Sequence, residues 1–196
     1  MVPDRIKYIS LTAILQECKD YGWKINAIEA DTVSWPTHTL YYSIDDGPFE
    51  GVYLMDNKNI TTTDTNGENN GSVLEIQSDL HGFMIPGVSP QIDAGIQQVY
   101  MTMCRPGMKK GLHWHKIKED NFTCIAGNAI VCLENKGRFL YIPMGETFGY
   151  RTVKIPPGVS HGIQNASTEQ EVRVINCTHP PYDPNHVDQV DLTVDW

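Results

Sequence analysis

Eight short segments follow one another from Gly95 onward: Gln97 to Cys104, Gly111 to His115, Asn121 to Ile125, Ala129 to Glu134, Phe139 to Ile142, Thr152 to Ile155, His161 to Gln164 and Glu171 to Cys177. Turn residues separate them, as in Arg105-Pro-Gly107, Ala126-Gly-Asn128, Asn135-Lys-Gly137 and Pro156-Pro-Gly158. Glycine and proline at these spacers break the chain wherever a longer element could begin. Runs this short, at this regular spacing, predict strands of an all-β sandwich or barrel.

The earlier part of the chain reads differently. Ser10 is a plausible helix cap, and Leu11, Ile14, Leu15 and Cys18 recur at helical spacing, which predicts one amphipathic helix over 10–21. Between Trp23 and Met55, runs such as Thr39 to Ile44 and Gly51 to Met55 flank the turn chemistry of Asp45-Asp-Gly-Pro48 and read as strands. Asn57 to Ser72 is rich in Asn, Thr, Asp and Gly, and reads as a loop or mobile hairpin and as a boundary. The expected organisation is an extension over 1–92, packing on a β-domain over 93–196.

Charge and cysteine usage narrow the function classes. Asp and Glu number 24 against 15 Lys and Arg, so the surface repels a nucleic-acid backbone. Lys109, Lys110, Lys116 and Lys118 surround a histidine pair and read either as a positive mouth for an anionic small molecule or as a solvated strand end. No apolar run is long enough for a signal peptide or a membrane span, so a cytoplasmic location is expected. Five widely spaced cysteines without a Cys-x-x-Cys pair suggest buried apolar residues rather than a disulfide framework.

The histidines carry the chemistry. His113 and His115 are one residue apart on an expected strand and therefore share a face, with Trp114 on the other; His161 can reach them only from a neighbouring strand. The pattern describes a pocket. One reading is proton abstraction next to a carbonyl, with His113 as general base and Lys110 or His161 steadying the enolate. Another uses the same residues as ligands: His113, His115, Asp120 and His161 suit one divalent transition metal, Fe, Mn, Ni or Zn. His38, His81, His179 and His186 lack such spacing and receive no role.

Gly107, His113, His115, Asp120 and Gly127 resemble the first signature of cupins, with Asp in place of the usual Glu. Pro156, Gly158, His161 and Asn165 resemble the second. The resemblance covers roughly Gly95 to Asp191 and implies a double-sheet jelly roll. Within cupins, Gln98-Val-Tyr-Met-Thr102, Arg105 to His115, Asp120-Asn-Phe-Thr123, Ile155 to Gly162, and Asn176 to Tyr182 with Asp188 look like the dTDP-4-dehydrorhamnose 3,5-epimerase family. That resemblance implies a metal-free homodimer acting on a nucleotide-linked 4-keto sugar. It places the base at His113, substrate holding at Lys110, and substrate contacts at His115, Asp120, Tyr182 and Asp188. The tyrosine that this family carries on the strand after the His-Gly segment has no counterpart between Gln170 and Cys177; Tyr182 is the nearest downstream. The rival expectations are a metal-dependent isomerase, lyase or oxygenase, and a non-catalytic sugar-binding cupin.

Overall fold

The computed structural model describes residues 10–30, 39–57, 59–63, 65–74 and 98–196. The chain opens with α1 (Leu11–Asp20), where the Ser10 hydroxyl accepts a hydrogen bond from the Ala13 N–H at 3.2 Å. Leu11, Ile14, Leu15 and Cys18 form its buried face. Each such side chain contributes about 1.5–3 kcal/mol on full burial. The helix stops where Gly22 takes φ +82°, a conformation that favours glycine.

Strands follow as β1 (Ile25–Ala30), β2 (Thr39–Ile44), β3 (Tyr53–Asp56), β4 (Asn59–Thr63), β5 (Asn69–Leu74), β6 (Gln98–Cys104) and β7 (Lys109–His115). They continue as β8 (Glu119–Ala126), β9 (Asn128–Asn135), β10 (Arg138–Gly145), β11 (Arg151–Ile155), β12 (Ser160–Asn165), β13 (Val172–His179) and β14 (Gln189–Asp191). One sheet runs β1-β2-β3-β11-β8-β13-β6 and the other β10-β9-β12-β7-β14, with every ladder antiparallel. The fold is therefore the expected all-β jelly roll of the cupin type, carrying a short helix and extra strands before it.

The residues between the sheets explain why they stay together. Val131 and Leu133 of β9 face Val153, Ile155 and Val174 of the other sheet in one cluster, and the buried residues of α1 join it. Burial of these apolar surfaces is the main force holding the two layers. β3 pairs with β11 through Leu54 and Val153, so strands of the N-terminal segment continue a barrel sheet. All five cysteines are buried and none is in a disulfide.

Of the loop or hairpin expected over 57–72, the structure has the hairpin, with β-branched Ile60 and Val73 paired across β4 and β5. β14, too short and polar to read as a strand, forms by pairing with β7. Lys118 is buried beside the histidines, 4.0 Å from Asp120, and with Lys110 it lines the cavity of the site. His38 and His81 lie outside the described residues. Among the described residues, no helix is long and apolar enough to cross a membrane.

Candidate functional site

The site forms where β7 and β12 run side by side, with His113 opposite His161. Two glycines allow that approach. A side chain at Gly111, whose φ is +92°, would place its Cβ 2.8 Å from the Gly162 Cα and the His161 carbonyl oxygen. One at Gly162 would come within 2.7 Å of the Trp196 ring. The local sequences Lys110-Gly-Leu-His113 and His161-Gly162 thus bring the two imidazoles to a centroid separation of 4.8 Å.

His113, His115 and His161 each offer a ring nitrogen within 4.8 Å of the others. Asp120 reaches them from the facing sheet: its Oδ2 lies 3.3 Å from His115 Nε2 and 3.2 Å from His161 Nε2. The outer nitrogens are already engaged. His115 Nδ1 lies 3.2 Å from Asp188 Oδ1, and His161 Nδ1 lies 3.0 Å from the Val159 carbonyl oxygen. Both partners are acceptors, so each Nδ1 carries a proton. A neutral ring then turns a lone pair at Nε2 toward Asp120 Oδ2. His161 Nε2 and Asp120 Oδ2 are in fact buried without a hydrogen-bond partner.

The electrostatics follow from burial and from this crowding. Desolvation, together with the neighbouring His161 and His115, pushes the His113 imidazole down to about 4. It is therefore neutral at physiological pH and free to accept a proton. Desolvation also lowers His115, against the pull of Asp120. Burial pushes the Asp120 carboxyl up, but His161 when protonated at Nε2, together with Asn176 and Lys118, outweighs it and holds Asp120 well below the usual carboxylate range.

A cavity of about 180 Å³ opens onto this cluster, lined by Tyr100 and Thr102 of β6, Lys110 and His113 of β7, Phe122 of β8 and His161 of β12. The structure thus brings His113, Lys110 and His161 together at the cavity. His115 and Asp120 are buried behind them, and neither lines the cavity. Asp188 also stands behind: it accepts from the Ile117 and Lys118 N–H groups and orients His115. Tyr182 is exposed and outside the cavity lining, its N–H donating to Gln98 Oε1.

Tyr100 was not singled out by the sequence reading. Its signal was the period of two in Gln98-Val-Tyr-Met-Thr102, which puts Tyr100 and Thr102 on one face. Only the sheet pairing shows that this face is the cavity wall.

A model of the polysaccharide biosynthesis C-terminal domain matches residues 79–190. No curated protein matches the chain. Among solved structures, a dTDP sugar isomerase from Desulfovibrio desulfuricans G20 is similar at 24% identity and TM-score 0.56, over 74% of this chain and 86% of that one. NovW, a 4-keto-6-deoxy sugar epimerase from Streptomyces spheroides, is similar at 15% identity and TM-score 0.55, over 83% and 78%. QdtA, a sugar 3,4-ketoisomerase from Thermoanaerobacterium thermosaccharolyticum solved with TDP, is similar at 18% identity and TM-score 0.51, over 71% and 86%. At these identities the likeness shows a shared fold.

Proposed function

The chain belongs to the polysaccharide biosynthesis C-terminal domain family, and from that premise we propose that it epimerises or isomerises a nucleotide-linked 4-keto sugar by removing the proton next to the ketone. The observation that carries this reading is the difference between the histidines. His115 and His161 are held by carboxylate or carbonyl partners; His113 and His161 both line the cavity, and His113 does so as a neutral imidazole. A neutral imidazole at the wall of a half-dry pocket is a general base. Lys110 stands on the same strand and wall, where its ammonium can steady the developing enolate oxygen.

The cavity is small beside the ~300–1,000 Å³ of typical ligand sites. It suits the reacting sugar ring, with the nucleotide lying outside. The similar structures, a dTDP sugar isomerase, a 4-keto-6-deoxy sugar epimerase and a ketoisomerase bound to TDP, support the same substrate class here.

A second reading places a divalent transition metal among the same residues. Two Nε2 lone pairs and Asp120 Oδ2 converge with no hydrogen-bond donor between His161 and the carboxylate, and each Nδ1 is oriented by an acceptor, the arrangement that metal-binding histidines use. A proton or a cation must sit there to remove the repulsion. His113, His115, Asp120 and His161 would hold the metal, which when bound would polarise the ketone as a Lewis acid.

One experiment tests both readings. Incubated with TDP-4-keto-6-deoxyglucose in deuterated water, the protein is expected to incorporate deuterium at the carbon beside the ketone, followed by NMR. Absence of exchange would overturn the first reading. Exchange that survives EDTA, with no metal found by elemental analysis, would overturn the second.

The same reading includes a homodimer. β6 has a partner on one side only among the described residues, and its outer face carries Val99, Met101 and Met103, each about half exposed. Such an edge is a pairing surface for a second copy. Sedimentation is expected to give twice the mass of one chain, and Met101→Glu to halve it; a wild-type mass of one chain would refute the dimer.

A further inference from the structure

On the outer face of the five-stranded sheet lies an aromatic groove, and we propose that it is a second binding site, which takes a neutral sugar unit of a glycan chain. The groove holds about 450 Å³, within the ~300–1,000 Å³ of typical ligand sites. Three segments meet there: the end of α1 with Trp23, the first half of β10, and Asp195. Leu140 and Ile142 of β10 enter the core between the sheets, whereas the alternate residues Phe139 and Tyr141 pack with Leu112, Cys132 and Trp196 on the other face. That face is turned away from His113, which follows Leu112 on β7. Among the described residues, none lines both the groove and the histidine cavity.

The aromatic walls are already in place. Trp23 lies against Gly47, where a Cβ would come 2.7 Å from the indole, and it meets Phe49 edge-on with ring centres 5.2 Å apart. Tyr21 stacks on Trp23, with centroids 5.1 Å apart and planes at 26°, yet stays 50% exposed, so the face turned from Trp23 is open. On the other wall the Phe139 and Tyr141 rings lie 6.2 Å apart and within 9° of parallel, each partly buried. Rings held by their neighbours lose little rotamer freedom when a ligand arrives. Their negative π faces attract the C–H hydrogens that one side of a pyranose presents.

The polar groups discriminate among ligands that stack. Glu17 and Asp195 bring carboxylates, and Arg138 brings a guanidinium. An anion would meet the two carboxylates, and a cation would meet the guanidinium. A neutral polyol uses both kinds of group, its hydroxyls donating to carboxylate oxygens and accepting from guanidinium N–H groups. Asp195 is held at the groove by its neighbour Trp196, which is buried over Gly162 and lies 4.8 Å from the Lys109 ammonium. Apolar faces with a rim of mixed donors and acceptors are the complement of a carbohydrate.

The test titrates the whole chain with neutral cellotriose, maltotriose and triacetylchitotriose, and with trigalacturonate and unacetylated chitotriose as charged probes, followed by saturation-transfer NMR. At least one neutral probe is expected to bind with a Kd near or below ~1 mM, and more tightly than either charged one. Tyr21→Ala and Arg138→Ala, both at exposed positions, are each expected to weaken it by about tenfold, while deuterium exchange into the 4-keto sugar keeps its wild-type rate. Binding of none of the neutral probes would overturn the proposal, as would tighter binding of a charged one. So would undiminished binding in a Tyr21→Ala protein that melts like wild type. Displacement of the bound trisaccharide by TDP would place it in the histidine cavity and remove the second site. Failure of the His113 reading would show instead as absent deuterium exchange, which these titrations do not involve.

Discussion

His113→Gln abolishes deuterium exchange into the 4-keto sugar, with an expected loss of ~10²–10⁴-fold, the usual contribution of a positioned base. Glutamine has similar bulk and can hydrogen-bond, but it cannot accept a proton near neutrality. His113 lines the cavity and has neighbours in His115 and His161 rather than a carboxylate clamp of its own. The variant therefore keeps its fold, with a melting temperature within about 4 °C of wild type, as expected for a change near 1 kcal/mol in a chain of this size. Retained exchange would take His113 out of the mechanism. Nucleotide affinity measured separately distinguishes a lost base from a collapsed pocket.

The second large effect is on stability. Asp120→Ala is expected to cost ~3–5 kcal/mol, the range seen when one partner of a buried charged group is removed. Asp120 is 1% exposed, sits 3.2–3.3 Å from two imidazoles, and accepts from Asn176. Its removal leaves the buried Lys118 ammonium, 4.0 Å away, without a counter-charge and frees the Asn176 amide. Urea denaturation gives the measurement, and a loss below about 1 kcal/mol would show that the carboxylate is not the electrostatic centre of the site. Loss of exchange at unchanged stability would assign Asp120 to chemistry alone.

How far the sequence could be read depended on whether the signal was local. The barrel strands β6 to β13 were visible because apolar alternation and turn residues are properties of a few neighbouring positions. The same holds for α1, whose cap and four buried positions lie within ten residues. The β4–β5 hairpin was harder, since its many Asn, Thr and Gly residues suit turns as well as an exposed ladder. The site divided along the same line. His113 and His115 shared a face by period, but nothing local showed that His115 would be enclosed by Asp120 and Asp188. Lys118 looked like a surface cation because its burial comes from the packing around Asp120, not from its neighbours in sequence.

By itself the sequence determined, through pattern and spacing written along the chain, an all-β sandwich or barrel with a short helix before it and two histidines on one strand face; the jelly roll and the meeting of His161 and Asp120 with that pair were implied by the resemblance to the cupin signatures. Tertiary structure alone decided that His113 and His161 face the cavity while His115 does not, which carboxylate orients His115, that Tyr182 stays outside and that Tyr100 lines the cavity from the other sheet. Each depends on register between strands far apart in sequence, such as β6 with β13 and β14 with β7. A shift of one residue in such a pairing would turn every side chain to the other face.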